Sequence, residues 1–360
     1  MPNRDSVLSG RVLFQRPQVN LARSTACRMW LVGLCAGLAI LQSSLGDSFI
    51  SLRLALAVVF AAVFAEWICN LVSGAHTLRD GSAVASALIL VLLLPNTLNP
   101  LYAVIGAFFA MVVVKHSFGG LGSNWVNPAL GGWLFVRFSW PVAFDRALEA
   151  SPLARLSGGL AQGLADPLAS PLGLLTSGGA SSPFASAVTA FLNDTIFALT
   201  RSELPGGYID LLLSREPGII ADRGLLALLL GTILITASQV SRVLAPLLFL
   251  GSYTLVVRIF GALPFGGSPG QGDILFALFS GGLIPAAFLL GSDPATGPKS
   301  GIASGIFALS AGILTFIFRY PGFEPYGAFF AVALLNALTP LVREFERGRL
   351  YQPPEAGRGL

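Results

Sequence analysis

Ten apolar runs follow one another along this chain, and no single water-soluble core can absorb that many. They cover residues 29–45, 52–71, 81–94, 101–114, 126–140, 225–240, 245–260, 274–290, 301–318 and 326–339. Only 11% of the 360 residues are charged, against about 25% in soluble domains, and mean hydropathy is +0.74. Too little polar surface remains to cover a globule in water. The chain therefore reads as an all-α polytopic membrane protein. Several runs fall short of the roughly 20 residues that cross a hydrocarbon core, which points to broken helices enclosed by protein.

Charge placement orients the spans. With residues 1–28 in the cytoplasm, alternation puts 13 of 22 basic residues on that side, including both lysines, Lys115 and Lys299. Both termini are then cytoplasmic, and residues 1–28 carry no signal-peptide layout. The predicted plan is a cytoplasmic arm (1–28), a five-helix half (29–140), an extracytoplasmic loop (141–224), a second five-helix half (225–340) and a cytoplasmic tail (341–360). Within the long loop only residues 184–199 have amphipathic helical character. The basic balance belongs to one side of a bilayer, so no nucleic-acid partner is implied. Cys27, Cys35 and Cys69 offer no disulfide framework or metal spacing, and two distant histidines make no metal site.

Spacing suggests that the halves are copies. Pro95, Pro100, Gly106 and Pro141 stand close to 199 residues before Pro294, Pro298, Gly305 and Pro340. Each half runs through a short third span, a proline pair, a glycine-bearing fourth span and a fifth span closed by proline. Five spans per half invert the second copy, and short interrupted helices in matched positions point to a binding site between them.

Polar residues inside apolar sequence are costly and read as functional by default. Glu66 lies within the second run, where it either acts there or reaches for the membrane edge. Asp80 precedes the third run, as an N-cap or as a cation site. Between Lys115 and Gly132, Gly119, Gly120 and Gly122 allow close backbone approach. Asn124 and Asn127 supply amides that can read a flat heteroaromatic edge. No nucleophile–base pair stands out, so no catalytic side chain is assigned.

Four stretches carry a family resemblance. They are Asp80-Gly-Ser-Ala-Val-Ala-Ser-Ala-Leu, residues 118–130 (Phe-Gly-Gly-Leu-Gly-Ser-Asn-Trp-Val-Asn-Pro-Ala-Leu), Ser292-Asp-Pro-Ala-Thr, and Leu335-Asn-Ala-Leu-Thr-Pro-Leu. In this order they resemble the family shared by the D subunit of the Rnf electron-transport complex and the B subunit of the sodium-translocating NADH:quinone reductase. The resemblance runs from about residue 28 to 342, and the compact length favours the Rnf type.

That family implies ten transmembrane helices in two inverted five-helix repeats, in the cell inner membrane. It also implies a riboflavin held between helices, and an FMN joined through its phosphate to a threonine of the outer loop. Here the matching stretch reads Asp166-Pro-Leu-Ala-Ser-Pro-Leu, so Ser170 stands where the threonine is expected. By the same carry-over Asn124 and Asn127 resemble riboflavin-pocket residues, with Gly119, Gly120 and Gly122 shaping the turn, and Asp80 an acidic ion-translocation position. The implied partners are other Rnf-type subunits, chiefly the FMN-bearing G subunit and the membrane A and E subunits. The expected function is a flavin-carrying subunit that relays electrons across the membrane, coupled to Na⁺ or H⁺ transport. A flavin-free inverted-repeat transporter or channel, or a scaffold subunit, would share the plan.

Overall fold

The computed structural model describes residues 24–74, 77–120, 122–148, 183–201, 203–213, 218–238, 243–265, 267–322 and 324–350. Every regular element among them is helical. The first half comprises α1 (Thr25–Gly46), α2 (Ile50–Ser73), α3 (Ser82–Leu93), α4 (Pro100–Phe109, prolonged by a π-helical turn Ala110–His116) and α5 (Pro128–Ser139). The segment between the halves contributes α6 (Pro141–Leu148), α7 (Pro183–Leu192, prolonged by turns to Thr200), α8 (Tyr208–Leu213) and α9 (Ile220–Arg223). The second half comprises α10 (Leu225–Ala237), α11 (Leu244–Phe260), α12 (Ile274–Phe279), α13 (Leu283–Pro285, prolonged by the π turn Ala286–Leu290), α14 (Gly301–Arg319) and α15 (Gly327–Leu350).

Four stretches are long and apolar enough to cross a membrane: Thr25–Gly46, Ile50–Ser73, Gly301–Arg319 and Gly327–Glu346. The shorter α3 rises only about 18 Å, against a hydrocarbon core of about 30 Å. It survives because protein surrounds it: nine of its 12 residues are buried. By contrast α2 turns Leu56, Phe60 and Leu71 outward, an apolar face suited to lipid.

The halves pack tightly. α1 lies against α3 in its own half and against α10, the first long helix of the other. A Cβ at Gly231 would stand 2.8 Å from the Cys35 Cβ, and one at Gly224 would stand 2.2 Å from the Ala39 carbonyl oxygen. Small residues thus let two backbones meet where apolar burial alone supplies little drive.

Segments that alternation assigns to one side do meet one another. Asp47 accepts from the Asn96 amide at 3.3 Å, and the Ile220 N–H donates to the Leu94 carbonyl at 3.0 Å; both pairs are assigned outside. On the opposite face Asn127 reaches Asp293, and Arg343 reaches the 295–297 carbonyls.

Three expectations need correction. The eighth apolar run is not continuous: it breaks at Ser280-Gly281-Gly282, where both glycines take positive φ (+70° and +64°). A Cβ at Gly282 would stand 2.3 Å from the Phe329 ring, so only glycine fits the turn. Pro340 does not close the last span, because α15 runs through it to Leu350. A proline there removes one N–H, the one that would bond the Asn336 carbonyl, and the remaining ladder carries the helix on. The segment expected as an outer loop also holds more helix than residues 184–199, in α6, α8 and α9.

Candidate functional site

The glycine-rich loop after α4 is shaped by backbone geometry. The π turn ends at His116, and the Gly119 and Gly120 N–H groups return to the His116 and Lys115 carbonyls at 3.1 and 3.0 Å. Gly119, Gly120 and Gly122 take φ of +100°, +87° and +93°, which side-chain-bearing residues rarely adopt. With its amide turned so that the nitrogen faces the loop carbonyls, the buried Asn124 side chain fixes the loop from inside, donating to those of Val114 (3.3 Å), Lys115 (3.2 Å) and Gly120 (3.1 Å).

Asn127 ends the loop and starts α5. Its Oδ1 accepts from the Ala129 N–H at 3.0 Å, with Pro128 in the first helical position. Its Nδ2 donates to Asp293 Oδ2 at 2.9 Å, across 166 residues. Asp293 Oδ1 in turn accepts from the Ala295 N–H at 2.9 Å. This one contact joins a loop of the first half to a loop of the second. Burial pushes the Asp293 carboxyl above its ordinary range, against the pull of the Ala295 N–H, the Asn127 amide and Lys299.

Between these loops lies a cavity of about 420 Å³, within the roughly 300–1,000 Å³ of small-molecule sites. Met29, Val32, Ile89, Ile235, Phe288 and Leu289 give it apolar walls, and Ser86 and Ser292 add hydroxyls. Arg28 and Lys299 line both this cavity and a second one, of about 710 Å³, beside it. The tail of α15 clamps the lining loop. Arg343 donates to the Ala295 and Gly297 carbonyls at 2.6 and 2.7 Å, and Glu346 accepts from the Ser300 and Lys299 N–H groups at 3.0 and 3.3 Å.

Of the loop residues singled out from sequence, Gly122, Asn124 and Asn127 line the cavity, while Gly119 and Gly120 form the turn outside its lining. The Asn124 amide serves the loop, and the Asn127 amide serves α5 and Asp293, so both build the wall. Asp80 lies outside the lining: its Oδ1 accepts from the Ser82 N–H at 2.8 Å, an Asx turn that leads into α3. Ser170 lies outside the described residues.

Sequence reading missed a buried network next to the cavity. Glu66 does not reach for the membrane edge; it is fully buried and accepts from Lys115 Nζ at 2.8 and 2.7 Å. His116 Nε2 meets Glu66 Oε2 at 2.9 Å, Thr77 donates to Glu66 Oε1, and Lys115 Nζ also donates to Ser82 Oγ at 2.7 Å. A carboxylate inside one apolar run and a lysine just past the end of another, toward the same assigned side, were the available signal. A second network sits on the opposite face. Buried Arg319 donates to Tyr253 Oη (2.7 Å), the Ala277 carbonyl (3.0 Å) and Ser280 Oγ. Close by, Asp222 accepts from the Gly281 and Gly282 N–H groups at 3.0 and 2.9 Å.

Comparison with known proteins places this architecture. The NQR2, RnfD, RnfE family matches residues 12–352. The D subunit of the proton-translocating ferredoxin:NAD(+) oxidoreductase complex of Clostridium ljungdahlii is 31% identical, over 91% of this chain and 92% of its own. The D subunit of an ion-translocating oxidoreductase complex of Pseudomonas paraeruginosa is 33% identical, over 79% and 78%. The D subunit of the Na(+)-translocating ferredoxin:NAD(+) oxidoreductase complex of Acetobacterium woodii is 29% identical, over 93% of each chain. The family match takes in both cavity-forming loops and both buried networks, and the chain belongs to the NQR2, RnfD, RnfE family.

Proposed function

We propose that this chain is the flavin-carrying membrane component of an Rnf-type ion-translocating oxidoreductase, moving electrons across the inner membrane coupled to cation transport. On this reading it has ten spans in two inverted halves with both termini in the cytoplasm. The observation that carries it is the cavity where the Gly119–Asn127 loop and the Asp293 loop meet, joined by Asn127 and Asp293. Relatives named as parts of such complexes, matched over nine-tenths of the chain, support the oxidoreductase setting.

The lining fits a riboflavin ring system. It offers an apolar slot with Phe288 along one wall, hydroxyls from Ser86 and Ser292, and water held back by buried α3. A flavin bound there supplies reversible electron acceptance; the protein supplies placement and electrostatics. Asn124 and Asn127 keep the slot open, and Arg28 and Lys299 make its surroundings positive. A covalent FMN at Ser170 is the second proposed cofactor, since a serine hydroxyl can form the same phosphoester. The FMN-bearing G subunit and the membrane A and E subunits are the proposed partners, and Asp80 the proposed ion-translocation residue. Relatives named for protons and for Na⁺ are similarly close, so likeness does not choose the ion.

The test is co-expression with a flavin transferase, followed by flavin fluorescence on a denaturing gel and extraction of non-covalent flavin. A fluorescent band lost in Ser170→Ala, together with extractable riboflavin, is the expected result. A dark band with no extractable flavin would leave a flavin-free transporter.

A further inference from the structure

The Lys115–Glu66–His116 network holds more titratable groups than an anchor requires. The other half shows an anchor without them: Arg319 ends the fourth apolar run of that half and is held by two hydroxyls and a carbonyl, with no carboxylate within ion-pair distance among the described residues. A guanidinium does not give up its proton in proteins, so that cluster only holds. The Lys115 cluster instead places an amine, a carboxylate and an imidazole in continuous hydrogen-bond contact.

The network also has two ends. His116 is 13% exposed, whereas Glu66 and Lys115 are 0% and 1% exposed. Lys115 lines the cavity, and its Nζ donates to Ser82, one turn along α3 from the cavity-lining Ser86. The other groups at Glu66 are Thr77, from the link between α2 and α3, whose hydroxyl also meets Asn70 Oδ1, and Cys69 of α2 itself.

We infer that His116, Glu66 and Lys115 form a proton pathway from the face carrying His116 to the cavity; this rests on the flavin reading above. The Lys115 ammonium, which lines the cavity, gives one proton to a group reduced there by one electron. Glu66 Oε2, a carboxylate in the resting pair, takes a proton from His116 Nε2 and hands it to the Lys115 amine, while His116 binds a solvent proton at Nδ1 and turns its ring to restore the starting tautomer. One proton crosses for each electron, and the electron comes from a one-electron donor. This pathway accounts for a titratable network where an inert anchor would suffice.

The test uses the full chain carrying riboflavin, reduced with the methyl viologen radical cation, a one-electron donor whose oxidation releases no proton, in the presence of a pH-indicator dye. Flavin absorbance is followed in parallel to report occupancy. Proton uptake should slow roughly 10²-fold in Glu66→Gln and in His116→Gln, the low end of what positioned acid–base groups contribute. Occupancy and the flavin spectrum should stay at wild-type values. His116→Gln leaves the Lys115–Glu66 pair intact and guards against misfolding. Added imidazole should restore uptake in His116→Ala, which a structural role would not allow. Tyr208→Phe, on the opposite face, should leave uptake unchanged. Full occupancy with wild-type uptake rates in both variants would overturn the pathway alone. A wild-type chain that takes up no riboflavin would overturn the pathway and the flavin reading together.

Discussion

Lys115 and Arg319 stand just past the fourth and ninth apolar runs, and each ties a neighbouring helix to the start or break of a third one. Lys115 reaches Glu66 on α2 and Ser82 at the start of α3; Arg319 reaches Tyr253 on α11 and Ser280 at the break between α12 and α13. Glycines at positive φ stand beside both serines: Gly81 in one half, Gly281 and Gly282 in the other. One mechanical job is thus done twice, on opposite faces, with different chemistry. The difference lies in the partners. A carboxylate and an imidazole bond to the lysine group next to the cavity, whereas neutral oxygens bond to the arginine away from it, with the Asp222 carboxyl nearby on the Gly281 and Gly282 N–H groups.

That contrast is open to direct attack. Lys115→Met strands a buried carboxylate and should cost about 3–5 kcal/mol. Most of this should return in the double variant Lys115→Met/Glu66→Gln, where no unpaired charge remains. Arg319→Met leaves unpaired hydroxyls but no carboxylate bonded to the lost group, so about 1–3 kcal/mol is expected. Thermal unfolding in detergent checks the order, and equal losses would mean that the two anchors are equivalent.

The glycines sharpen the same comparison. Gly282→Ala sets a methyl at φ +64° against the buried Phe329 ring and should cost about 2–4 kcal/mol, left-handed strain and overpacking combined. Gly81→Ala meets Trp30 at 2.8 Å, but Trp30 is half exposed and can move aside. About 1–2 kcal/mol of backbone strain should remain. Asp80→Ala removes the acceptor for the Ser82 N–H and should cost about 1 kcal/mol, measured in the same unfolding assay.

The smallest effect is a pH dependence at the cavity. Burial raises the Asp293 carboxyl in the folded chain, so the folded state holds that proton more tightly than the unfolded chain does. Stability from this group is therefore greatest below the ordinary carboxylate range. It falls as pH rises through the window up to the raised value. Asp293→Asn should flatten that part of the stability–pH curve.

Much of this architecture was readable because a bilayer forces long apolar runs and sorts basic residues to one side. The alternation predicted from Lys115, Lys299 and Arg343 agrees with a cavity and clamp that gather loops from one side. The broken eighth run was not readable: Gly281 and Gly282 barely lower its hydropathy, and only the Phe329 contact shows why glycine is needed. Pro340 misled because proline usually ends a helix, whereas here it sits within one. Glu66 and Lys115 are 49 residues apart, and hydropathy is silent on which charges meet. The loop asparagines were singled out for a ligand, and their positions on the cavity follow. Their first task, pinning the loop and capping α5, depends on partners that only the folded chain supplies.

Flavin stoichiometry tests the central claim most directly. Acid extraction of the purified chain should release close to one riboflavin per polypeptide, and Ser292→Trp, which fills the cavity from its loop, should lose it while keeping wild-type thermal stability. A wild-type chain without riboflavin, or equal riboflavin in Ser292→Trp, would contradict the assignment of this cavity.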